Sequence, residues 1–299
     1  MVRRFALQNK TGNRLNLMLK SSFFYSPTGL GFAEDKEYIS TSDGFFYEIN
    51  SKYSQPVISG QIIFLNLNSA YADYRKTVTW INKEDDLKLV YCPYGSEEYF
   101  MDVKISEFSK SEITSEGYLA CDVTIKGLSP WFSQKPLTLN FQKSASGTKR
   151  YAYSYGKVTE EQTTYGYIYG VSRTPGSVDF QIDGDFDGGI EFTAQGLAVS
   201  PILTLKRKDN AEIIGQMDLT GTSVAQGEKL IFSSVSNNSG IWLEKDGERE
   251  NIIDSAVLQE GVELFFKAPR NTSLTLSLEV SGTIEGNTTV NVYSYWKTR

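Results

Sequence analysis

The residues with the most chemical potential are three aspartates at alternate positions, Asp183, Asp185 and Asp187, in the run Asp183-Gly-Asp-Phe-Asp-Gly-Gly. Alternation of this kind turns carboxylate oxygens toward one centre, as in the first half of a calcium-binding loop. The second half departs from that pattern. The twelfth position counted from Asp183 is Ala194, where such a loop needs a bidentate glutamate, and the flanks read as strands rather than helices. The competing reading is a β-turn, because Asp and Gly tolerate positive φ and Asp bonds its own backbone. The loop is therefore a weak calcium candidate, and no other metal site and no cofactor is expected.

Tyrosine supplies the second pattern. Tyr151, Tyr153 and Tyr155 alternate, and so do Tyr165, Tyr167 and Tyr169. Period two places each trio on one face of a strand. Such a face fits a core between sheets, a protein interface, or stacking on sugar rings, since tyrosine joins a flat apolar body to a polar tip. Trp242 is a further candidate for sugar or protein contact.

Conventional catalysis has little to work with. The chain of 299 residues contains no histidine. That removes the commonest general base, the serine and cysteine nucleophile systems that depend on it, and every histidine metal site. Carboxylate pairs remain, but Glu160-Glu161 and Glu84-Asp-Asp read as solvated loops. No glycine-rich phosphate loop or G-x-S-x-G elbow stands between a strand and a helix. The chain is not expected to be an enzyme.

Charge excludes another class. Acidic residues exceed basic ones, 36 to 30. Split at residue 133, the two parts hold 14 Lys/Arg against 16 Asp/Glu and 16 against 20. Neither part has the basic footprint of a nucleic-acid binder. Cys92 and Cys121 are too few for a disulfide framework or an all-cysteine zinc site, and both lie in strand-like runs, so they read as small buried apolar residues. The first residues, Met1-Val-Arg-Arg-Phe-Ala-Leu, lack the apolar stretch of a signal peptide. No run approaches the roughly 18 apolar residues of a membrane span.

The elements that would position these residues are mostly strands. Val57 to Leu67, Leu87 to Tyr91, Tyr99 to Ile105 and Tyr118 to Ile125 combine alternation with β-branched and aromatic residues. One stretch differs. Tyr71, Tyr74, Val78 and Ile81 recur at helical spacing, with Asn68 or Ser69 as N-cap, so one helix is expected to end before Lys83. Pro130 and Pro136 flank Trp131 and argue against a continuous central strand there, which sets a boundary at residue 133. Beyond it all segments read as strands, among them Val178–Ile182 and Gly189–Ala194 around the acidic turn, and Glu263–Phe266. The fold class is mainly β: a sandwich-like first domain with one α-helix, residues 1–133, and a jelly-roll sandwich, residues 134–299. Gly31 to Lys52 shows neither helical nor strand period, although it holds Phe32, Tyr38, Phe45, Phe46 and Tyr47.

The order of segments resembles a known family. Phe5-Ala-Leu-Gln-Asn precedes Tyr25-Ser-Pro-Thr-Gly-Leu-Gly-Phe and Gln55-Pro-Val-Ile-Ser-Gly-Gln-Ile-Ile-Phe. Then come the helix at Tyr71, Leu87-Lys-Leu-Val-Tyr, Tyr99-Phe-Met-Asp-Val-Lys-Ile, Gly117-Tyr-Leu-Ala-Cys-Asp-Val and Ser129-Pro-Trp-Phe. This series is similar to the distal tail proteins of siphophages that infect Gram-positive bacteria. Ile182-Asp-Gly-Asp, Ser200-Pro-Ile-Leu-Thr-Leu, Gly227-Glu-Lys-Leu-Ile-Phe and Tyr293-Ser-Tyr-Trp extend the likeness to that family's galectin-like second domain. Each motif is weak by itself; their order carries the resemblance over nearly the whole chain.

The resemblance implies a virion protein of the tail tip, assembled in the host bacterial cytoplasm. It implies a homo-hexameric ring that joins the tail tube to the tail-tip hub or baseplate. DNA would pass through the channel unbound. Tail tube protein, hub or tail-associated lysin, and receptor-binding protein are the implied partners. It also implies an interface arm, or belt, placed here at Gly31–Lys52, with Phe32, Tyr38, Phe45, Phe46 and Tyr47 as its anchors. The alternative function is a carbohydrate-binding, lectin-like adsorption module using Tyr165, Tyr167, Tyr169 or Trp242, with a host saccharide as partner.

Overall fold

The computed structural model describes residues 3–66, 68–83, 86–95, 97–138, 176–196, 198–281 and 288–298. The chain forms two units that are not consecutive stretches. The first comprises residues 1–134 together with Asp183–Phe186 and Tyr293–Arg299; the second comprises Lys135–Ile182 and Asp187–Val292.

The first unit begins with β1 (Arg4–Asn9), β2 (Arg14–Asn16), β3 (Ser22–Thr28), β4 (Glu34–Ser40), β5 (Phe46–Tyr53) and β6 (Val57–Phe64). The helix α1 (Ala70–Asn82) follows, then β7 (Leu87–Cys92), β8 (Tyr99–Phe108), β9 (Leu119–Gly127) and β10 (Trp131–Thr138). Strict alternation in β9 buries Leu119, Cys121, Val123 and Ile125 on one face. The antiparallel order is β2-β1-β7-β8-β9-β6-β3. The sheet curls on itself. β1 and β3 are far apart in that order, yet Phe5 and Phe24 meet edge-to-face at 5.3 Å. Leu17 closes the gap: its N–H donates to the Phe5 carbonyl at 2.9 Å, and its carbonyl accepts from Phe24 N–H at 2.8 Å. A bulge in β8 between Ile105 and Glu107 supplies part of the bend. Trp131, Phe5, Leu89, Met101 and Ile125 are fully buried inside.

The helix forms where its spacing predicts, with Ser69 as N-cap residue. Its buried face is rotated from the expected one. Ala70, Thr77 and Ile81 are buried, and Tyr74 packs on Phe108 at 5.1 Å between ring centroids. Tyr71 points outward, where its phenol donates to Glu112 at 2.5 Å and Lys110 lies 4.5 Å over its ring. Thr77 tolerates burial because its hydroxyl donates to the Asp73 carbonyl one turn back, at 2.9 Å. The prolines also behave differently from the sequence expectation. β10 runs unbroken through Pro136, and its pairing with β8 is confined to Phe132 opposite Phe100, so no ladder bond on that side needs the missing N–H.

The second unit contains β11 (Gly176–Gln181), β12 (Phe186–Gln195), β13 (Ala198–Arg207), β14 (Ile213–Asp218), β15 (Ser223–Val224), β16 (Lys229–Ser233), β17 (Gly240–Lys245), β18 (Glu248–Asn251) and β19 (Ser273–Ser281). The last strand, β20 (Thr288–Trp296), contributes to the first unit from Tyr293 onward. One sheet carries β18-β17-β16-β12; the other is β11-β19-β13-β14, with β15 beside β13. Phe192, Leu230, Phe232 and Ile241 of the first face Leu203, Leu205, Leu274 and Leu276 of the second in one core, so the unit is a β-sandwich. β11 and β12 do not form the hairpin that their alternation suggests. β11 pairs with β19 and β12 with β16, so the acidic turn crosses between sheets. Glu263–Phe266 is not a strand. It touches β14 through a single bridge, Glu263 to Gly215, and lays Phe266 where a Cβ on Gly215 would stand 2.1 Å away.

Candidate functional site

The most exposed apolar surface lies on one element. Gly31–Lys52 is not irregular, as its lack of period suggested: β4 and β5 pair as an antiparallel hairpin from Glu34 opposite Tyr53 to Ser40 opposite Phe46. The turn is closed by Thr41 N–H on the Phe45 carbonyl and by Gly44 N–H on the Thr41 carbonyl, and Gly44 adopts φ +82°, which a side chain would strain. The period is hidden for a physical reason. Alternation marks a strand only when one face is buried, and here neither face is. Ile39 opposite Tyr47 lies on one face, while Tyr38 and Phe46 lie on the other. A bulge between Glu37 and Tyr38 leaves Ile49 without an opposite partner.

All five expected anchors are exposed: Phe32, Tyr38, Phe45, Phe46 and Tyr47, with Phe45 at 65% and Phe46 at 72%. Ile39 and Ile49 join them, and sequence reading missed both because it counted only aromatics. A free two-stranded hairpin is marginal in water, and apolar groups on both its faces call for cover from both sides. Lys36 bridges Glu48 at 3.0 Å across the strands. With Glu34, Asp35, Glu37, Asp43 and Glu48 against Lys36 and Lys52, the arm is acidic.

The arm's root is the opposite of its tip. Phe32 leaves the hairpin and lies 5.7 Å beneath the Lys297 ammonium. Lys297 also pairs with Glu34. That hydrogen bond holds the Glu34 carboxyl below its ordinary range. Tyr53 donates its phenol to the Lys297 carbonyl at 3.3 Å and meets Phe186 edge-to-face at 5.5 Å. Burial pushes that phenol's pKa up, reinforced by Asp185. A cavity of about 280 Å³ opens here, lined by Gly29, Phe32, Tyr53, Ser54, Pro56 and Val57. None of these pairings has a sequence signal, because Glu34 and Lys297 lie at opposite ends of the chain.

The other candidates are dispersed. Asp185 accepts Lys297 N–H at 2.8 Å and Asp187 accepts Arg270 N–H at 3.1 Å, while Asp183 is exposed. Among the described residues, no three Asp, Glu, Cys or His side chains gather to hold a metal. Tyr165, Tyr167 and Tyr169 lie outside the described residues. Trp242 is half-buried on β17, cross-strand from Ile231 and Asn251, with its ring over Gly240 so closely that a Cβ there would stand 2.3 Å away. Cys92 and Cys121 are buried free thiols. Among the described residues no helix is long and apolar enough to cross a membrane.

Residues 4–128 match the family model of the distal tail protein, N-terminal domain. The fold also matches solved phage structures along the whole chain. A chain of the phage P2 baseplate, in its activated conformation with Ca, is 14% identical over 100% of both chains, with a TM-score of 0.67. SPP1 Dit, a paradigm of hub adsorption apparatus in phages infecting Gram-positive bacteria, is 8% identical over 97% of this chain and 98% of that one, with a TM-score of 0.53. No curated protein sequence matches the chain. The fold is therefore the one shared by these phage baseplate and hub chains. Residues 4–128 thus carry the likeness to the N-terminal domain of distal tail proteins, and the fold likeness extends it over the rest of the chain.

Proposed function

We propose that copies of this chain join through their arms into a six-fold ring at the distal end of the tail, between the tail tube and the tail-tip hub or baseplate. Residues 1–133 build the ring; residues 134–299 form its galectin-like part and offer a surface to a receptor-binding protein. The work is structural, without an active site. The channel passes DNA without holding it, which an acidic chain favours because phosphates gain no counterion release from it. The observation that carries this reading is the hairpin at 34–53, apolar on both faces and uncovered on both. A surface of that kind in a heterologous contact, arm of one copy on body of the next, closes a ring when the rotation closes. Electron microscopy and light scattering of the full chain and of a deletion of Gly31–Lys52 test it. Six-fold rings that vanish with the deletion support the reading; rings that survive it refute the arm's role, and a channel wall dominated by Lys and Arg refutes the passive conduit.

A further inference from the structure

Beyond the root, the arm is on its own. Among the described residues, the hydrogen bonds and ion pairs recorded for residues 35–52 run only to other arm residues, between Lys36 and Glu48, Lys36 and Glu34, Ser51 and Glu34, and across the turn. Its direction must therefore be set at the root. Ser54 N–H donates to the Ala33 carbonyl at 3.0 Å, which ties the two strands to each other but not to the body.

Two ties to the body are made by residues flanking the arm, Gln55 donating its side-chain amide to the Gly127 carbonyl at 2.9 Å and Thr28 pairing with Ser59, and the others come from distant sequence. Lys297 pairs with Glu34 at the start of β4 and stands over Phe32. Thr298 donates its hydroxyl to the Leu30 carbonyl at 3.2 Å. Tyr53, at the end of β5, donates to the Lys297 carbonyl. Behind Lys297, Asp185 accepts its backbone N–H, and Asp185 N–H in turn donates to the Tyr295 carbonyl at 2.8 Å. Both strands of the arm are thus held by one short stretch, and that stretch is held by another.

These two stretches are Asp183–Phe186 and Tyr293–Thr298, through which the chain leaves and re-enters the second unit. We propose that Lys297 and Thr298, backed by Asp185, form a clasp that sets the angle of the arm, so that the connections to the second unit double as the arm's anchor. The arm's angle and the state of these connections are then one equilibrium, and whatever biases one biases the other. An ion pair alone would be a weak anchor. The combination of a charge pair, a cation over an aromatic ring and two hydrogen bonds, one to the segment leading into β4 and one to the end of β5, is what restrains rotation.

The geometry makes the effect measurable. Seven residues of β4 span about 23 Å, so a swing of about 20° at the root carries the tip about 8 Å. The test is a spin-label distance measurement on the full chain, diluted until it is monomeric, with labels at Ser42→Cys in the turn and Lys126→Cys on the exposed face of β9. Cys92 and Cys121 are buried and do not compete for label. The parent should give one narrow distance distribution, and Lys297→Ala with Thr298→Val should broaden it by several ångströms while the melting temperature holds. Lys297→Glu alone should broaden it too, and Lys297→Glu with Glu34→Lys should restore the narrow peak. A parent already broad, or a Lys297→Glu distribution as narrow as the parent's, overturns the clasp. If Lys297→Ala fails to fold, the exchanged pair decides: a narrow peak in the folded exchange supports the clasp, a broad one overturns it. Because the measurement is made on the monomer, its outcome is independent of whether the rings of the proposed function form.

Discussion

Replacing Phe45 and Phe46 by serine removes the two most exposed rings near the arm's tip and leaves the backbone of the turn intact. A phenylalanine presents roughly 200 Å² of surface, so at 65% and 72% exposure the pair offers about 270 Å² to a partner. At about 25 cal/mol per Å², full burial in a neighbour is worth up to about 7 kcal/mol. Ordering the arm and desolvating its polar groups offset much of that, which leaves about 2–3 kcal/mol per interface. The expected result is a rise of roughly 30- to 140-fold in the concentration at which copies associate, since 1.4 kcal/mol is tenfold. Sedimentation velocity over a concentration series reads that shift. Thermal melting of the monomer is the necessary companion, because rings exposed in the monomer contribute nothing to its stability. An unchanged association midpoint refutes the arm as the interface. A melting temperature lowered by several degrees refutes the exposure itself, since it would mean that the rings pack against their own chain.

Three further outcomes follow from the structure. Gly29→Ala, just before the arm, should destabilise the fold by about 3 kcal/mol in urea titration, because φ is +79° and the new Cβ would stand 1.9 Å from the Val57 carbonyl oxygen. The Asp102 carboxyl is raised above the usual range mainly by burial, with Asp86 adding to the shift and Lys88 and Ser129 opposing it. Its contribution to stability is therefore full below the ordinary aspartate pKa near 3.9 and is lost as pH rises through the raised value. Asp102→Asn should accordingly be more stable than the parent at neutral pH and equal to it near pH 3, and equal stability at both pH values would refute the burial argument. Calcium should give neither heat in isothermal titration nor a rise in melting temperature, because Asp185 and Asp187 already accept backbone N–H groups; a clear rise at submillimolar calcium would restore the loop as a site.

Much of the chain could be read from residues alone, for one reason: a strand or helix with one buried face writes its period into the sequence. β9 alternates without a fault, and α1 is bounded by Ser69 and Lys83 as its spacing requires. The ordered motifs of β1, β6, β8 and β9 pointed to the family that residues 4–128 match. The absence of histidine closed off whole chemistries before any coordinate was known. Tertiary structure decided what depends on company rather than period. Which side of α1 packs was settled by the groove that receives Ala70 and Thr77, not by the more apolar Tyr71 and Val78. Alternation around the acidic turn could not say that β11 and β12 pair into different sheets, because period two specifies a face and not a neighbour. The arm is a regular hairpin that left no period, since a strand exposed on both faces has nothing to alternate for. Its anchor at Lys297 was invisible for the complementary reason: a contact between Glu34 and a residue 263 positions away exists only once the intervening chain has folded and come back.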